Sequence, residues 1–399
     1  MPELYFNPWD PQFRADPYPA YRTLVEGPPR LMTFAGPVAL VARYADVEAV
    51  LRDHGRFTAV RPPSLPIARR GPFAGAATVL TSDPPVHTRL RRLISREFTP
   101  RRIHDLEPRI RAIMAALLDA IEQRGAAEFD LMAEVANALP VMVIAELLGV
   151  PSASYGTFKQ WSDAVVAGAG RTQPWEEPPA EFLDAVAALR GYFAEQIEAR
   201  RRAPGADLVS ALVAAHDDAE ALSSEELLAF VVLLLLAGNE TTTNLIGNGM
   251  LALGRNPEQL EMLRREPARM AVAIEEIVRY DGPVQATARF ATEAVNIDGT
   301  EIPVGAPAFV LIAAANRDPA KFPAPEKFDI TRHPNEHLGF GIGIHFCLGA
   351  PLARLEGAIA IGAMLARFAR LRLADPAAPT VYKGSFFLRG LSALQMKID

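Results

Sequence analysis

The stretch HLGFGIGIHFCLG, residues 337–349, crowds glycine around the only cysteine of a 399-residue chain, with His345 two places before Cys347. A metal-binding thiolate must be kept ionised while one face stays open to its ligand. Gly341 and Gly343 permit backbone angles and close approaches that a Cβ would forbid, so amides around Cys347 can point at sulfur. Gly349-Ala350-Pro351 reads as the first turn of a helix, with proline where its missing N–H is harmless. Free amides of such a turn favour negative charge and lower a thiol's pKa. Two other readings stand beside this one. The cysteine can be a structural residue of a Gly-rich turn, or it can join His337 and His345 on zinc, a set one ligand short of the usual structural site.

Working outward, half of the chain is hydrophobic and 22% is charged, the balance of a globular protein with a large core. No Gly/Ser linker, charge block or internal repeat divides it, so residues 1–399 are expected to form a single domain. A net charge of −6 argues against nucleic acid. The start, MPELYFNPWDPQF, lacks the charged and apolar segments of a signal peptide. The longest strongly apolar run, 227–238, falls short of the roughly 20 residues that a membrane span needs. A cytoplasmic protein with no membrane partner is expected, and one cysteine excludes an internal disulfide.

Periodicity predicts a mainly α chain with minor β-sheets. DPYPAYRTL opens a helix, and PVALVARY reads as a strand followed by helix ADVEAVLRD. From about 84 to 275 apolar residues return every three or four positions, clearest in IHDLEPRIRAIMAALLDAIEQ and FLDAVAALRGYFAEQIEARR. The β-rich portions are expected near 30–45, 281–312 and 380–399. DPAKFPAPEKFDITRHPNEHLGF is too rich in proline for regular structure, yet its Phe322, Phe328 and Phe340 suit an ordered segment. A helix begins near 350.

Phe340-Gly341-x-Gly343-x-His345-x-Cys347-x-Gly349 resembles, residue for residue, the haem-binding signature of the cytochrome P450 family. The resemblance implies haem b as cofactor, with Cys347 as the axial ligand of iron, Phe340 packed beside it and His345 on a haem propionate.

Three further constellations accord with it. In LLLLAGNETTTNLI, residues 233–246, Ser223 and Glu226 form a capping box that starts a long helix. Ala237 and Gly238 are small enough to let something approach that helix. Glu240 and Thr241, after a dozen apolar residues, belong in a core where polar groups need partners or a task. The segment is similar to the family's distal, oxygen-side helix, which implies that Thr241 donates a hydrogen bond to dioxygen and that Glu240 relays protons. In AVAIEEIVRYDGPVQ, Glu276 and Arg279 share a helix face; alone they read as a surface pair worth ~0.2–0.5 kcal/mol. The family resemblance makes them a buried structural pair joined by Arg332. In DPPVHTRLRRLISREF, His87 and Arg91 share one helix face, and the resemblance sets them, with His345 and Arg289, on the haem propionates. Arg92, Arg96, Arg101 and Arg354 are candidates for docking an acidic electron carrier.

Together these imply a helical triangular prism with haem between the Thr241 helix and the Cys347 loop. The implied activity is insertion of one atom of O2 into a small, largely apolar organic substrate, by hydroxylation or oxidative demethylation. Electrons would come from NAD(P)H through a ferredoxin and its reductase, to a monomer. A peroxide-driven or non-oxygenating haem-thiolate enzyme, and a non-catalytic haem protein, are the alternatives; Glu240-Thr241 argues against the first. By analogy the substrate pocket takes in Phe73, Val231, Val284 and Phe387, an apolar set, and Arg69 and Arg70 are candidates to meet a carboxylate.

Overall fold

The structure is a computed structural model that describes every residue except 1–3, 35, 66, 67, 69, 74, 97, 172–175, 206, 215–221, 384 and 399. It is mainly helical. The helices used below are α1 (Tyr18–Val25), α2 (Tyr44–Arg52), α3 (Val86–Ser95), α4 (Ser224–Arg255), α5 (Met270–Asp281) and α6 (Ala350–Arg367). The chain divides into two compact units, one of residues 1–57, 110–139 and 241–399, the other of 58–109 and 140–240.

The first unit is built on a five-stranded sheet of β1 (Arg30–Thr33), β2 (Pro37–Val41), β3 (Phe57–Thr58), β5 (Thr287–Ala291) and β8 (Pro307–Val310), in the order β1-β2-β8-β5-β3. β2 runs antiparallel to β1 and parallel to β8, with Ala39 opposite Ala308 and Val41 opposite Val310. Successive side chains of a strand point to opposite faces, and PVALV fills both. Val38 and Leu40 join Phe309, Leu311 and the α1 residues Tyr21 and Leu24 in one core. Ala39 and Val41 join Val310, Leu338 and the α2 residues Val47, Val50 and Leu51 in the other. Each of the valines and leucines among them contributes about 1.5–3 kcal/mol when fully buried. A second sheet joins β4 (Glu128–Asp130), β9 (Arg372–Leu373) and β10 (Gln395–Lys397), and β6 (Val295–Ile297) pairs with β7 (Thr300–Ile302).

Two stretches differ from the sequence reading. The helix expected through 103–123 is two, Pro100–Asp105 and Glu107–Arg124, because Pro108 has no N–H to carry the ladder across Leu106. β4 lies inside the region of helical periodicity; three residues are too few to show a period of two, and Phe129 is placed by its partner Met396. The Pro-rich run 318–340 lacks helix and strand, yet Phe322 and Phe328 are buried.

α4 starts at the expected capping box: Ser223 N–H donates to Glu226 Oε2 at 2.8 Å, and Glu226 N–H donates to Ser223 Oγ at 3.1 Å. Its 32 residues are long and apolar enough to cross a membrane, but 72% of the apolar window is buried inside the protein. The apolar run noted in the sequence continues as a buried helix because Asn239, Glu240, Thr242, Thr243, Asn244 and Asn248 are buried with it. In the first unit α4 meets α5 and α6 closely: a Cβ on Gly249 would stand 2.9 Å from Ile277 Cδ1 and 3.2 Å from Ile361 Cδ1.

α6 buries one acid in this packing. Glu356 is 2% exposed, and its Oε2 has no hydrogen-bond partner. Burial pushes its carboxyl up from the ordinary 4.5 to about 8, because the charged form is the one that loses water. Between those values the folded protein holds the proton and the unfolded chain has released it, so Glu356 costs stability progressively as pH rises. From pH 6 to pH 8 the wild type is expected to lose about 2–3 kcal/mol relative to Glu356→Gln. Chemical denaturation of both proteins at the two pH values measures this, and a pH-independent difference would contradict it.

Candidate functional site

The cysteine turn is a chain of short backbone bonds. Gly341 N–H donates to Leu338 O at 2.8 Å, Phe346 N–H to Gly343 O at 3.1 Å, and Cys347 N–H to Phe340 O at 2.9 Å. Gly341 and Gly343 have φ of +70° and +71°, angles at which any side chain is strained. The turn is seated at both ends. Leu338 and Ile342 pack on the core under α2, and a Cβ on Gly343 would approach Leu51 O to 3.3 Å. Cys347 and Phe346 are exposed, and α6 begins three residues beyond the sulfur with proline in its first turn. The result is a soft donor with an open face, backed by helix N-terminal amides.

The zinc reading does not match this arrangement. Among the described residues no three His, Cys, Asp or Glu side chains are grouped to hold a metal ion. His337 instead directs Nε2 at Glu275 Oε2, 3.1 Å away.

Behind the turn lies a sealed ion pair. Glu276 and Arg279 of α5 are 0% and 1% exposed. Arg279 Nε and Nη2 donate to Glu276 Oε2 and Oε1 at 2.7 and 2.8 Å. Arg279 Nη1 donates to the carbonyls of Asn316 and Pro325, and Nη2 also to that of Lys327. All five guanidinium N–H bonds are thereby used. Arg332 Nε donates to Glu276 Oε2 at 3.1 Å, and the Asp329 amide and Asn335 Nδ2 also donate to the same carboxylate. Asn316 carries the order onward, since its Oδ1 accepts the Leu338 N–H at 2.7 Å.

A second cluster, which sequence reading missed, stands beside Phe340. Arg354 Nε and Nη2 donate to Glu275 Oε1 and Oε2 at 2.7 and 2.8 Å, and its guanidinium carbon lies 4.3 Å from the Phe340 ring centroid. Burial alone would raise Glu275, but hydrogen bonds from Arg354 and His337, with the charge of Arg354, outweigh it and hold the carboxyl at about 2. The available signal was the doubled acid Glu275-Glu276 on one helix, but only the second acid matches a known pattern. Arg354, a candidate for carrier docking, is bound bidentately to Glu275 with its side chain 36% exposed.

Arg289 of β5 is buried and donates to Ala288 O at 2.9 Å. Val284 bridges to Leu388 and the Gln285 N–H donates to Phe387 O, which puts half-buried Val284 and Phe387 in adjoining segments. On α4, Thr241 is half-buried, and Thr243 Oγ1 donates to Ala136 O at 2.8 Å.

In the second unit, Glu240 is buried, Ala237 is exposed and Gly238 half-buried on α4. Asn239 Nδ2 donates to Ser162 Oγ at 2.7 Å. On α3 His87 is buried and Arg91 half-buried. Phe73 is buried and Val231 is wholly enclosed. Arg92, Arg96 and Arg101 are exposed. Arg70 pairs with Glu177 at 3.0 Å, so its guanidinium already meets a carboxylate of the protein, and Arg69 lies outside the described residues.

With this geometry in view, comparisons place the chain among known proteins. The family model described as Cytochrome P450 matches residues 29–390. The cytochrome P450 monooxygenase PikC of Streptomyces venezuelae is 44% identical over 393 residues, covering 96% of this chain and 92% of its own. The vitamin D(3) 25-hydroxylase of Pseudonocardia autotrophica is 43% identical over 389 residues, covering 96% and 94%. The solved structure of PksS, the cytochrome P450 of the Bacillus subtilis 168 bacillaene polyketide synthase, matches with a TM-score of 0.90 at 37% identity, over 99% of this chain and 100% of that one.

The sealed pair yields a stability prediction. Glu276→Gln leaves a buried guanidinium without its counter-charge and is expected to cost about 3–5 kcal/mol. Asp163→Asn, which breaks the exposed Lys159–Asp163 pair, is expected to cost under about 0.5 kcal/mol. Urea denaturation of the two variants tests the contrast, and comparable losses would refute it.

Proposed function

The chain belongs to the cytochrome P450 family, whose members bind haem b and act as monooxygenases, and on that premise we propose a substrate class and an electron route for it. The substrate is a largely apolar organic molecule, hydroxylated or oxidatively demethylated with one atom of O2. Electrons come from NAD(P)H through a ferredoxin and its reductase. The observation that carries the haem-thiolate assignment is the exposed lone thiol of Cys347 in its two-glycine turn, its amide bonded back to Phe340. That donor fits haem iron: a soft sulfur, an open face and helix amides that favour the anion.

When bound, haem supplies the centre at which O2 is reduced and cleaved, with thiolate donation favouring O–O cleavage. The chain's own residues bind, orient and move protons. Cys347 would hold the iron, and Phe340 and Gly341 shape the turn that would present it. His345 and Arg289 would hold the propionates by hydrogen bonds, and His87 and Arg91 are assigned the same task. Ala237 and Gly238 keep the α4 surface low. Glu240 would relay protons to Thr241, whose Oγ1 would donate a hydrogen bond toward O2. Glu276, Arg279 and Arg332 have a structural role.

Support for an apolar substrate comes from Val284 and Phe387, with Phe73 and Val231 assigned to the same lining. The relatives' names agree with a bulky molecule, one naming vitamin D(3) and another a polyketide synthase. Exposed Arg92, Arg96 and Arg101 are the proposed contacts for an acidic ferredoxin. The remaining proposals are a monomer and a cytoplasmic location.

Cys347→Ser is expected to lose the strongly red-shifted Soret band of the reduced CO complex together with product formation. Thr241→Ala is expected to keep the substrate-induced spin shift while product per NADPH falls about tenfold or more and peroxide rises to match. Stoichiometry of NADPH, O2, peroxide and product measures this; unchanged coupling removes the role given to Thr241. Product formed from peroxide alone at the full rate would replace the ferredoxin route.

A further inference from the structure

We infer that Glu275, Arg354 and His337 form a positioning cluster that fixes a positive charge beside the Cys347 thiolate and so sets how much electron density sulfur gives to the iron. The inference rests on the haem-thiolate reading above and concerns residues to which that reading assigns no such part.

The geometry fixes the guanidinium in two ways. A bidentate fork to Glu275, at 2.7 and 2.8 Å, sets the plane of Arg354, a constraint that the point charge of a lysine does not provide. The face of Phe340, 4.3 Å from the guanidinium carbon, sets its height through cation–π attraction.

Glu275 is itself held. His337 lies 3.1 Å from it through Nε2, while His337 Nδ1 accepts the Gly339 N–H at 3.1 Å. That second bond makes Nδ1 the acceptor and leaves Nε2–H to point at the carboxylate. The His337 side chain is 3% exposed, so the imidazole is enclosed while the Arg354 side chain is 36% exposed.

The cluster meets the cysteine turn at Phe340. Phe340, under the guanidinium, takes the Cys347 N–H on its own carbonyl. Of the ion pair, the guanidinium is the member stacked on Phe340, the residue whose carbonyl holds the Cys347 amide, and the charge of Cys347 adds to the rise that the hydrogen bond to Glu275 gives Arg354. Attraction between two charges is mutual, so the guanidinium that the thiolate stabilises also stabilises the thiolate. A stabilised thiolate donates less to iron, and ferric haem is then easier to reduce.

Reduction of the haem-loaded protein by a redox dye of known potential tests this without any protein electron donor. Removing the cation in Arg354→Gln is expected to lower the ferrous-to-ferric ratio at fixed dye potential three- to tenfold, tenfold being about 59 mV for one electron. Glu275→Gln removes the opposing charge and is expected to raise the ratio. Arg354→Lys keeps the charge without the fork and is expected to fall between wild type and Arg354→Gln. Opposite signs for the two neutralising variants are the mark of a field, because loosened packing would move both the same way. If Arg354→Gln does not fold, Glu275→Gln and Arg354→Lys decide. A rise in the first with a smaller fall in the second supports the inference, and a shift of both in one direction, or no rise in the first, overturns it. Wild-type protein that lacks the red-shifted band of the reduced CO complex would sink the haem-thiolate reading instead, and is recognised before any variant is made.

Discussion

A guanidinium sealed from water must place five N–H bonds, and Arg279 places all of them. Only two go to its partner Glu276. The other three require the carbonyls of Asn316, Pro325 and Lys327 to converge on one point, which imposes a path on a Pro-rich segment that has neither helix nor strand. Arg332 and the Asp329 amide close the same segment from the carboxylate side. Asn316 then fixes the Leu338 amide at the entrance to the cysteine turn. An irregular loop normally costs conformational entropy that its own contacts cannot offset; here the cost of leaving a buried charge unsatisfied enforces the order.

Adjacent acids on α5 divide the work. A step of one residue rotates the side chain by about 100° around a helix, and that rotation separates an enclosed carboxylate from one at the rim. Glu276 faces the interior and organises the backbone of 316–335. Glu275 faces the turn, where it meets Arg354 and His337 beside Phe340. One helix thus supports the Cys347 turn from behind and from the side.

Much of this was legible in the residues. The strand PVALV, the Ser223–Glu226 cap and the helix after Gly349 follow from local chemistry, and each forms where the pattern predicts. The spacing around Cys347 carried the family because glycine at 341 and 343 answers a backbone angle that the structure contains. What stayed hidden depends on partners far along the chain. Glu275 reads as an ordinary helix acid until Arg354, 79 residues on, arrives. Phe129 has no strand character until Met396 is beside it. Glu356 looks like one more charge on α6, and only burial shows it to be an acid that keeps its proton at neutral pH.

The central pairing of the main sheet joins β2 to β8 in parallel, and the Tyr44 amide just beyond β2 is capped by Asp318, 274 residues later. Parallel partners this distant bring loop-closure entropy forward, before any contact rewards it. On the ribosome, the hydrophobic strand PVALV emerges early and waits for most of the chain to be made. Through that interval it is an apolar segment with an open edge, which is what chaperones bind and what aggregates form from. Shielding this one strand during synthesis is thus a demand on the chain separate from the stability of the finished protein.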